Sequence, residues 1–411
     1  MGYREDGKWW VSPANYEPEV TKGLHFPGHI EILDTTLRDG EQQPGIIFTR
    51  DDKVAIAKKL AEVGVHRIEA GTPAGSAEDA DAIRAIADLG LALPDGSKAK
   101  TFCFCRSMVK DMELAKSLGV DGVICEIIGS EQMLRYGKKW TPEQAVAACV
   151  EATKAAHELG LFVTFFPADG SRAELNYLLD FVQAVAEGGH IDSLALVDTF
   201  GTFSPEGAAF TVRKLRERFE FPIEAHFHSD YDLGVATTLA ALAAGASVAH
   251  VTVNGIGERA GSAGLEPVAL SLEALYGKKT GIRLEKLKEL SELVARLSNF
   301  PVPPTKPVVG DKLFGWETGL PSSLWTNAKK ENPLIMLPYH YSLTGQKEPV
   351  LYVGKKSGKD NIRYWLDKTG LSIPEDRERD LLELVKALSI ELKRDLNEQE
   401  FRALVAKAAA N

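Results

Sequence analysis

The sequence is poor in cysteine, in long apolar runs and in net positive charge, and each shortage excludes a class of protein. Four cysteines in 411 residues cannot build the disulfide framework of a small secreted domain. No apolar run approaches the roughly 20 residues of a membrane-spanning helix, and Met1 to Trp10 lacks the apolar stretch of a signal peptide. A net charge of −10 argues against nucleic acid, whose binding depends on clustered lysine and arginine. We therefore expect a cytoplasmic protein with neither a nucleic-acid nor a membrane partner.

The four cysteines occupy positions typical of core residues. Cys103 and Cys105 alternate with phenylalanine, which predicts a buried strand. Cys125 lies in an apolar segment, and Cys149 lies in an alanine-rich one that predicts a helix. We expect all four thiols to be structural rather than nucleophilic.

From Ile30 to Tyr276 the sequence alternates short apolar segments with longer amphipathic ones, which predicts strands followed by helices. Eight such units in about 250 residues indicate an α/β protein with a (β/α)₈ TIM barrel. A doubly wound open sheet is the competing architecture, but it would show a glycine-rich fingerprint after the first strand. This chain has Thr36–Gln42 there instead. The predicted strands are 30–34, 66–70, 98–105, 122–128, 161–167, 193–198, 222–228 and 248–254.

The alternation stops after Gly277, and the proline-rich segment Asn299–Pro304 is typical of a boundary. Beyond it we expect a loop-rich region and then amphipathic helices, the first of them over 376–388. The second predicted helix, 398–409, begins after Asn397, a good N-cap residue. The predicted parts are an N-terminal extension (1–27), a TIM-barrel catalytic domain (28–280) and a mostly helical C-terminal lid subdomain (281–411).

Three side chains that can bind metal follow predicted barrel strands, at the ends where TIM barrels place functional groups. Asp39 follows strand one, and His226 and His228 lie two apart at the end of strand seven, so both imidazoles project from one face. Barrel closure brings strand one next but one to strand seven. Two imidazoles and a carboxylate suit a divalent ion. We predict that these three residues hold one; the alternative is a pair of inner-layer histidines and a turn acid.

Further polar side chains are predicted at the same rim. Arg38 would lie beside the metal, where a guanidinium can neutralise a developing oxyanion. Glu41 and Gln42 could hydrogen-bond a carboxylate or a water molecule. For each residue the alternative is a salt bridge or turn contact at the rim. Other candidates at strand ends are Glu69, Arg106 and Thr199.

Three segments carry a family resemblance: Asp34–Gln42 with Pro44-Gly45, the His226-Phe-His228 pair and Asn254–Arg259. They resemble the DRE-TIM metallolyase superfamily, the metal-dependent acyltransferases and lyases grouped around 2-isopropylmalate synthase, homocitrate synthase and citramalate synthase. The resemblance covers about residues 30–277. It implies a TIM barrel whose Mg²⁺, Mn²⁺ or Zn²⁺ ion is held by the aspartate and the two histidines already identified.

The resemblance also implies a reaction. An acyl-CoA, with acetyl-CoA the first choice, would condense with a 2-oxo acid to give a 2-hydroxy dicarboxylic or tricarboxylic acid and CoA. Arg38 would polarise the keto oxygen, while Gln42 and Thr199 would position the oxo acid. Glu41 is taken as a further catalytic residue, and Glu69 and Arg106 as substrate-binding residues.

The C-terminal region is similar to the same synthases around Leu337–His340 and Lys355–Gly358. In those enzymes a subdomain of one subunit reaches its neighbour's barrel, which implies a homodimer here. His340 is predicted to belong to the base machinery, against a purely structural role.

Two departures bear on substrate and direction. Ala168 stands where the synthases usually carry a glutamate just past strand five, and Ser262 stands where asparagine is common. The rival hypothesis is a lyase that cleaves a hydroxyacyl-CoA or hydroxy-oxo acid with the same metal. Such lyases usually place a cysteine after strand eight, and Gly257–Gly261 has none, which favours condensation. A third hypothesis is a barrel that binds a metabolite without turnover.

Overall fold

The computed structural model describes residues 2–410, and the chain divides into two compact units. One unit is Ala14–Val309, and the other combines the residues up to Pro13 with those from Gly310 onward. Among the described residues, no helix has both the length and the apolar character needed to cross a bilayer.

Twelve strands occur in the described chain. They are β1 (Arg4–Glu5), β2 (Trp9–Trp10), β3 (Glu31–Asp34), β4 (Arg67–Glu69), β5 (Lys100–Arg106), β6 (Gly122–Ile128), β7 (Phe162–Ala168), β8 (Ser193–Asp198), β9 (Ile223–Phe227), β10 (Val248–Val251), β11 (Gly315–Trp316) and β12 (Val350–Leu351).

Helices follow most barrel strands, and three of them form the core of the second unit. The helices are α1 (Pro18–Thr21), α2 (Arg50–Val63), α3 (Ala77–Asp88), α4 (Val109–Ser117), α5 (Glu131–Met133), α6 (Pro142–Glu158), α7 (Leu175–Gly188), α8 (Pro205–Arg218), α9 (Gly234–Ala243), α10 (Leu265–Tyr276), α11 (Leu287–Leu297), α12 (Gly319–Ala328), α13 (Lys359–Thr369), α14 (Glu378–Leu392) and α15 (Glu398–Ala410).

Strands β3 to β10 form a closed parallel barrel. Strand β10 closes it, because Val248 pairs with Glu31 of β3 on one side and with Glu224 of β9 on the other. The predicted (β/α)₈ TIM barrel with a helical C-terminal region is therefore confirmed. Closure brings β9 and β3 to either side of β10, so the ends of β9 and β3 are near neighbours.

Local sequence signals explain where the barrel helices begin and end. Helix α2 starts at a capping box, in which the Thr49 side chain accepts from the Asp52 N–H and the Asp52 carboxylate accepts from the Thr49 N–H. It ends at Gly64, which has φ of 100°. Helix α6 starts with the same device at Thr141 and Gln144, followed by a proline in the first turn. These caps fix the helix ends and hence the loops that carry the site.

The barrel interior is filled with apolar side chains below a polar mouth. Burying each large apolar side chain stabilises the fold by about 1.5–3 kcal/mol. Because side chains alternate along a strand, residues two and four positions after an interior side chain also face inward. The interior cluster comprises Leu33, Phe102, Ile124, Phe166, Ala195, Val197 and Val248, with Phe104, Phe162 and Ala168 packed against it.

The second unit has its own core, built by α13, α14 and α15 around Trp365, Leu381 and Phe401. The predicted helix 376–388 corresponds to α14, and the predicted helix 398–409 to α15. The region between the proline-rich segment and α13 is mostly loops and turns, as predicted, but it also contains helix α12, which was not predicted. Its sequence contains Gly, Pro and two Ser residues, which are poor helix formers, so packing of its apolar residues outweighs local propensity.

Candidate metal centre and active site

The turn after β3 is held by its own backbone. The N–H groups of Arg38 and Asp39 donate to the Thr35 carbonyl at 3.1 and 2.8 Å, and a 3₁₀ turn, Gly40–Gln42, follows. Two adjacent charged residues are thereby fixed at the mouth of the barrel. Both are buried, with 7% and 1% of their surfaces exposed.

The structure brings together the aspartate and the two histidines predicted to bind metal. His226 lies in β9 and His228 follows that strand. One potential ligand atom from each of Asp39, His226 and His228 lies within 4.8 Å of the others, and all three side chains are buried. Within this group, His228 Nε2 lies 3.9 Å from Asp39 Oδ1. This separation is too long for a hydrogen bond.

The unused atoms of this group fit a divalent ion. Asp39 Oδ2 accepts a hydrogen bond from Ser262 Oγ at 2.6 Å, but Asp39 Oδ1 and His228 Nδ1 are buried without a hydrogen-bond partner among the described residues. A buried carboxylate oxygen left without a partner costs free energy. Two imidazole nitrogens and a carboxylate can hold an ion while leaving coordination positions open. The donor set therefore suits a divalent metal site with room for substrate.

Glycine is required next to this site. Gly257 has φ of 156°, and a Cβ there would lie 3.1 Å from Asp39 Oδ2 and 3.2 Å from Ser262 Oγ. Any side chain would crowd the carboxylate and strain the backbone. Close packing against Asp39 and Ser262 therefore explains why position 257, in the Asn254–Gly261 segment, is a glycine.

Arg38 is held between acids and aromatic rings. Its Nε lies 2.9 Å from Glu69 Oε2 and its Nη1 lies 3.8 Å from Asp39 Oδ1, while its guanidinium lies 4.3 Å from the Phe104 ring centroid. Burial alone would lower the pKa of Arg38, but the carboxylates of Glu69 and Asp39 raise it above its ordinary value. Arg38 therefore stays a cation. Its Nη2 has no hydrogen-bond acceptor among the described residues, which leaves a donor for a substrate.

Gln42 and Thr199 have contacts consistent with positioning roles. Gln42 Oε1 accepts from Arg38 Nη1 at 3.0 Å. The Thr199 hydroxyl accepts from the Asp169 backbone N–H at 2.8 Å, so its own proton is available to another acceptor. The Thr199 carbonyl accepts from Arg259 Nη2, and Arg259 also pairs with Asp230.

Two predicted site residues, Glu41 and Arg106, have other partners. Glu41 accepts from the Phe48 N–H at 2.8 Å and pairs with Lys53 at 2.7 Å. Arg106 donates from Nε and Nη2 to the two carboxylate oxygens of Asp111, each at 2.9 Å. The structure does not bring these two side chains into the metal group.

His340 belongs to the second unit, where its Nδ1 lies 2.7 Å from Ser342 Oγ. Burial lowers the pKa of His340. Its predicted role in proton transfer stays a prediction.

A buried network of polar side chains lies behind His226, and it was not predicted from the sequence. His226 Nδ1 lies 3.3 Å from His250 Nδ1, and His250 Nε2 lies 2.6 Å from Glu224 Oε2. Glu224 Oε1 accepts from Arg67 Nη1 at 2.9 Å and from Ser193 Oγ at 2.7 Å. Glu224 precedes His226 by two residues on the same strand, which is a detectable signal. His250 carries no such signal, because it is a single histidine in an apolar strand.

The surroundings of Glu224 and His226 determine which of these two side chains is charged. Burial alone would raise the pKa of Glu224, but the hydrogen bond from His250 and the charge of Arg67 lower it to about 2. Burial, together with the nearby His250, His228 and Arg38, lowers the pKa of His226 well below its usual value. Glu224 is therefore a carboxylate and His226 a neutral imidazole, which is the form that binds metal.

Comparison with known proteins places this chain in a family. The HMGL-like family profile matches residues 29–294. A protein named probable 2-isopropylmalate synthase from Ignicoccus hospitalis is 37% identical over 384 residues, which cover 93% of each chain. Homocitrate synthase AksA from Methanothermobacter thermautotrophicus is 35% identical over 379 residues, which cover 92% of this chain and 93% of the relative.

Among solved structures, the HMG-CoA lyase from Brucella melitensis is similar with a TM-score of 0.58 and 21% identity, covering 66% of this chain and 100% of that one. At that identity the likeness shows the fold alone. The sequence relatives show more, because the profile and both synthases span most of the chain. The predicted resemblance is confirmed, and the chain belongs to the HMGL-like family.

Proposed function

We propose that the protein condenses acetyl-CoA, or a related acyl-CoA, with a 2-oxo acid to give a 2-hydroxy dicarboxylic or tricarboxylic acid and free CoA. The observation that carries the proposal is the buried group of Asp39, His226 and His228 with the Arg38 guanidinium beside it. Relatives that match more than nine-tenths of this chain carry names of synthases of this kind.

Asp39, His226 and His228 would hold Mg²⁺, Mn²⁺ or Zn²⁺. When bound, such an ion polarises a carbonyl as a Lewis acid. Ser262 donates to Asp39 Oδ2 and so fixes the orientation of that carboxylate. His250 and Glu224 hold His226 from behind, as groups outside the metal-binding shell commonly do for a ligating histidine.

Arg38 binds and orients the oxo acid. Its Glu69 and Phe104 contacts fix the plane of the guanidinium, so that a free N–H can point at the oxygen where negative charge develops. A preorganised cation of this kind stabilises an oxyanion more strongly inside a protein than in water. Arg38 thus promotes attack on the keto carbon without itself reacting.

Gln42 and Thr199 would position the oxo acid, Gln42 through its contact with Arg38 and Thr199 through its hydroxyl proton. Glu69 acts through Arg38 rather than directly. Glu41 and Arg106 keep proposed catalytic and substrate-binding roles only if substrate draws them from their partners Lys53 and Asp111.

The reaction also needs a base, and water completes it. A base removes a proton from the acyl methyl group, and the resulting carbanion attacks the keto carbon. Hydrolysis of the thioester releases CoA and makes the condensation irreversible. We assign His340 to the base machinery, in a homodimer whose C-terminal subdomain reaches the neighbouring barrel.

The homodimer itself is part of the proposal. The exposed large apolar side chains of the second unit include Leu320, Leu324 and Ile335, at 73%, 42% and 52%. Exposed apolar side chains on one unit are compatible with an interface between copies. Sedimentation analysis should give twice the 44.8 kDa mass of one chain, and a monomer at micromolar concentration would contradict it.

Cleavage in the reverse direction is less supported. The relatives of high identity are named synthases, whereas the similarity to a lyase structure is at 21% identity. Gly257–Gly261 also lacks the cysteine expected of such lyases. The third hypothesis, a barrel that binds a metabolite without turnover, has less support than either the synthase or the lyase.

The test is a thiol-release assay. Free CoA is followed while acetyl-CoA is paired with a panel of 2-oxo acids, with branched, linear and dicarboxylic side chains. Release with one oxo acid, abolished by a chelator and restored by a divalent ion, supports the synthase. No release with any oxo acid, with cleavage of a hydroxyacyl-CoA or hydroxy-oxo acid, would overturn it in favour of the lyase.

A further inference from the structure

We propose that Glu126 is a further catalytic residue, the carboxylate that the barrel contributes to proton transfer in the condensation. The inference rests on the proposed function, because it assigns a group to a step of that reaction. Three observations support it. Glu126 lies in the barrel mouth, its carboxylate has no protein partner, and the neighbouring acids already have hydrogen-bond or ion-pair partners.

Strand order and alternation place Glu126 in the barrel mouth. It lies in β6, two residues after Ile124, which belongs to the interior cluster. Side chains two apart share a face, so Glu126 also points inward, one layer nearer the carboxyl ends of the strands. Its register partner in β7 is Phe166. The Phe166 ring lies 5.0 Å from the His226 ring and 5.9 Å from the Arg38 guanidinium.

The carboxylate of Glu126 has no partner. Within residues 2–410, no side chain or backbone group donates a hydrogen bond to it and no cation lies within ion-pair distance, although its backbone carbonyl is used by Ser107. Glu126 is only partly buried, and its carboxylate oxygens are not among the buried side-chain atoms that lack a hydrogen-bond partner, so they remain accessible from the barrel mouth. An acid in a barrel mouth that has no protein partner is a candidate for contact with a ligand.

Other acids on the inner face and mouth of the barrel are already engaged. Their partners are Thr36 for Asp34, Ser262 for Asp39, Arg38 for Glu69, Arg172 for Asp169, Thr202 and the Phe203 N–H for Asp198, and Arg67 with His250 for Glu224. Recruiting one of them as a base would break an existing interaction. Glu126 can accept a proton at no such cost.

The surroundings of Glu126 raise the pKa of its carboxyl group, which suits a base. Burial raises the pKa of Glu126 above its ordinary value, and the cations Lys138, Arg38 and Arg106 oppose that rise. A carboxylate with a raised pKa is a stronger base than an exposed one. The same cations favour the charged form needed to accept a proton.

Space for the substrate lies on the neighbouring strand. Ala168 of β7 pairs with Ile128 of β6, at the carboxyl ends of both strands. Ala168 follows Phe166 by two residues on the same strand and therefore shares its inward face, where a methyl group takes up less space than any larger side chain. An acyl methyl group bound there would lie between Glu126 and the oxo acid held by Arg38.

Proton removal and carbon–carbon bond formation conserve atoms and electrons. One C–H bond of the acyl methyl group breaks, its proton goes to the Glu126 carboxylate, and its electron pair becomes the enolate. The enolate carbon forms a C–C bond to the keto carbon, whose C=O π electrons move to oxygen. The resulting alkoxide takes a proton, for which protonated Glu126 is a donor. Water then cleaves the thioester C–S bond to give the new carboxylic acid and CoA thiol.

The experiment compares Glu126→Gln and Glu126→Asp with a matched control, Glu151→Gln, which changes an exposed glutamate of α6. Each full-length holoprotein is checked for metal content and thermal midpoint, then assayed for CoA release with the oxo acid that the wild type accepts. Incorporation of solvent deuterium into the methyl group of acetyl-CoA measures proton removal separately.

Loss of a general base typically costs 10²–10⁴-fold in rate. We expect Glu126→Gln to lower kcat by at least about 10²-fold with KM changed less than about threefold. It should also lower deuterium incorporation in parallel and remove the acidic limb of the pH–rate profile. Glu126→Asp, which keeps a carboxylate, should retain more activity, and Glu151→Gln should match wild type.

Three outcomes would overturn the inference. They are a Glu126→Gln variant with kcat near that of wild type, one that changes only KM, and one whose fall in kcat is explained by lost metal. Absence of CoA release from wild type with every oxo acid would overturn the proposed function as well. If Glu126→Gln does not fold, a folded Glu126→Asp with wild-type kcat and deuterium incorporation would overturn it equally.

Discussion

His250 Nε2 lies 2.6 Å from Glu224 Oε2 inside the barrel, and both side chains are inaccessible to solvent. In the tautomer of His250 that donates its Nε2 proton to the Glu224 carboxylate, Nδ1 is an acceptor. His226 Nδ1, 3.3 Å away, can then donate to it. This order of protons leaves His226 Nε2 with the lone pair that a metal needs.

The first prediction concerns metal affinity. Glu224→Gln and His250→Gln should each weaken binding of Mn²⁺ or Zn²⁺ about 10–100-fold, because loss of such supporting contacts typically has that effect. Isothermal titration of the metal-free protein measures it without any substrate. His29→Gln, at a histidine with 71% of its side chain exposed, is the matched control. Unchanged affinity in both variants would show that the buried network serves packing only.

The second prediction separates Arg38 from the metal. Arg38→Lys keeps the charge but loses the planar guanidinium that contacts Glu69, Gln42 and the Phe104 ring. Lysine cannot reproduce this geometry, so kcat for CoA release should fall at least about 10²-fold. Metal affinity should change little. Activity within a few fold of wild type would exclude Arg38 from oxyanion stabilisation.

The third prediction concerns pH and stability at Asp34. Burial raises the pKa of Asp34 from its ordinary 3.8 to about 7, against the hydrogen bonds from Thr36. The folded state therefore binds a proton that the unfolded state releases between these two values. This contribution to the free energy of unfolding is full below pH 3.8 and is lost as the pH rises through about 7, at about 1.4 kcal/mol per pKa unit.

Asp34→Asn removes this titration while Thr36 keeps an acceptor. Urea unfolding from about pH 5 to about pH 8 should show the variant gaining stability relative to wild type as the pH rises. Asp51→Asn, at an exposed acid of α2, should show a constant difference. A difference for Asp34→Asn that is also independent of pH would contradict the raised pKa.

The fourth prediction concerns the thiols. Cys103, Cys105, Cys125 and Cys149 are free and buried, and burial raises the pKa of Cys149 to about 12. Because thiolate is the reactive form, a thiol-specific disulfide reagent near pH 8 should not label the native protein. All four thiols should react in denaturant. Rapid labelling of any cysteine in the native state would contradict a structural role.

Much of the barrel could be predicted because its signals are local. The predicted strands 122–128 and 193–198 coincide with β6 and β8, and the helix predicted to begin after Asn397 is α15, which starts at Glu398. Alternation and capping act within a few residues. Helix α12 was missed because its local signals oppose a helix.

The site could be predicted only for residues whose spacing along a strand, or whose place in the strand order, indicates where their side chains lie. His226 and His228 share a face by alternation, and barrel closure brings Asp39 to them. His250 and Glu126 are single polar residues in apolar strands, and only the register between strands shows what lies beside each of them. Partners such as Lys53 for Glu41 and Asp111 for Arg106 likewise depend on the packing of neighbouring elements.

The central claim is that Asp39, His226 and His228 hold one divalent ion beside Arg38. Crystals of the protein grown with Mn²⁺ and measured near the manganese absorption edge test it most directly. We predict one strong anomalous peak within about 2.0–2.3 Å of a carboxylate oxygen of Asp39 and a ring nitrogen of each histidine. No peak in the barrel mouth, or a peak bound by other residues, would contradict the account.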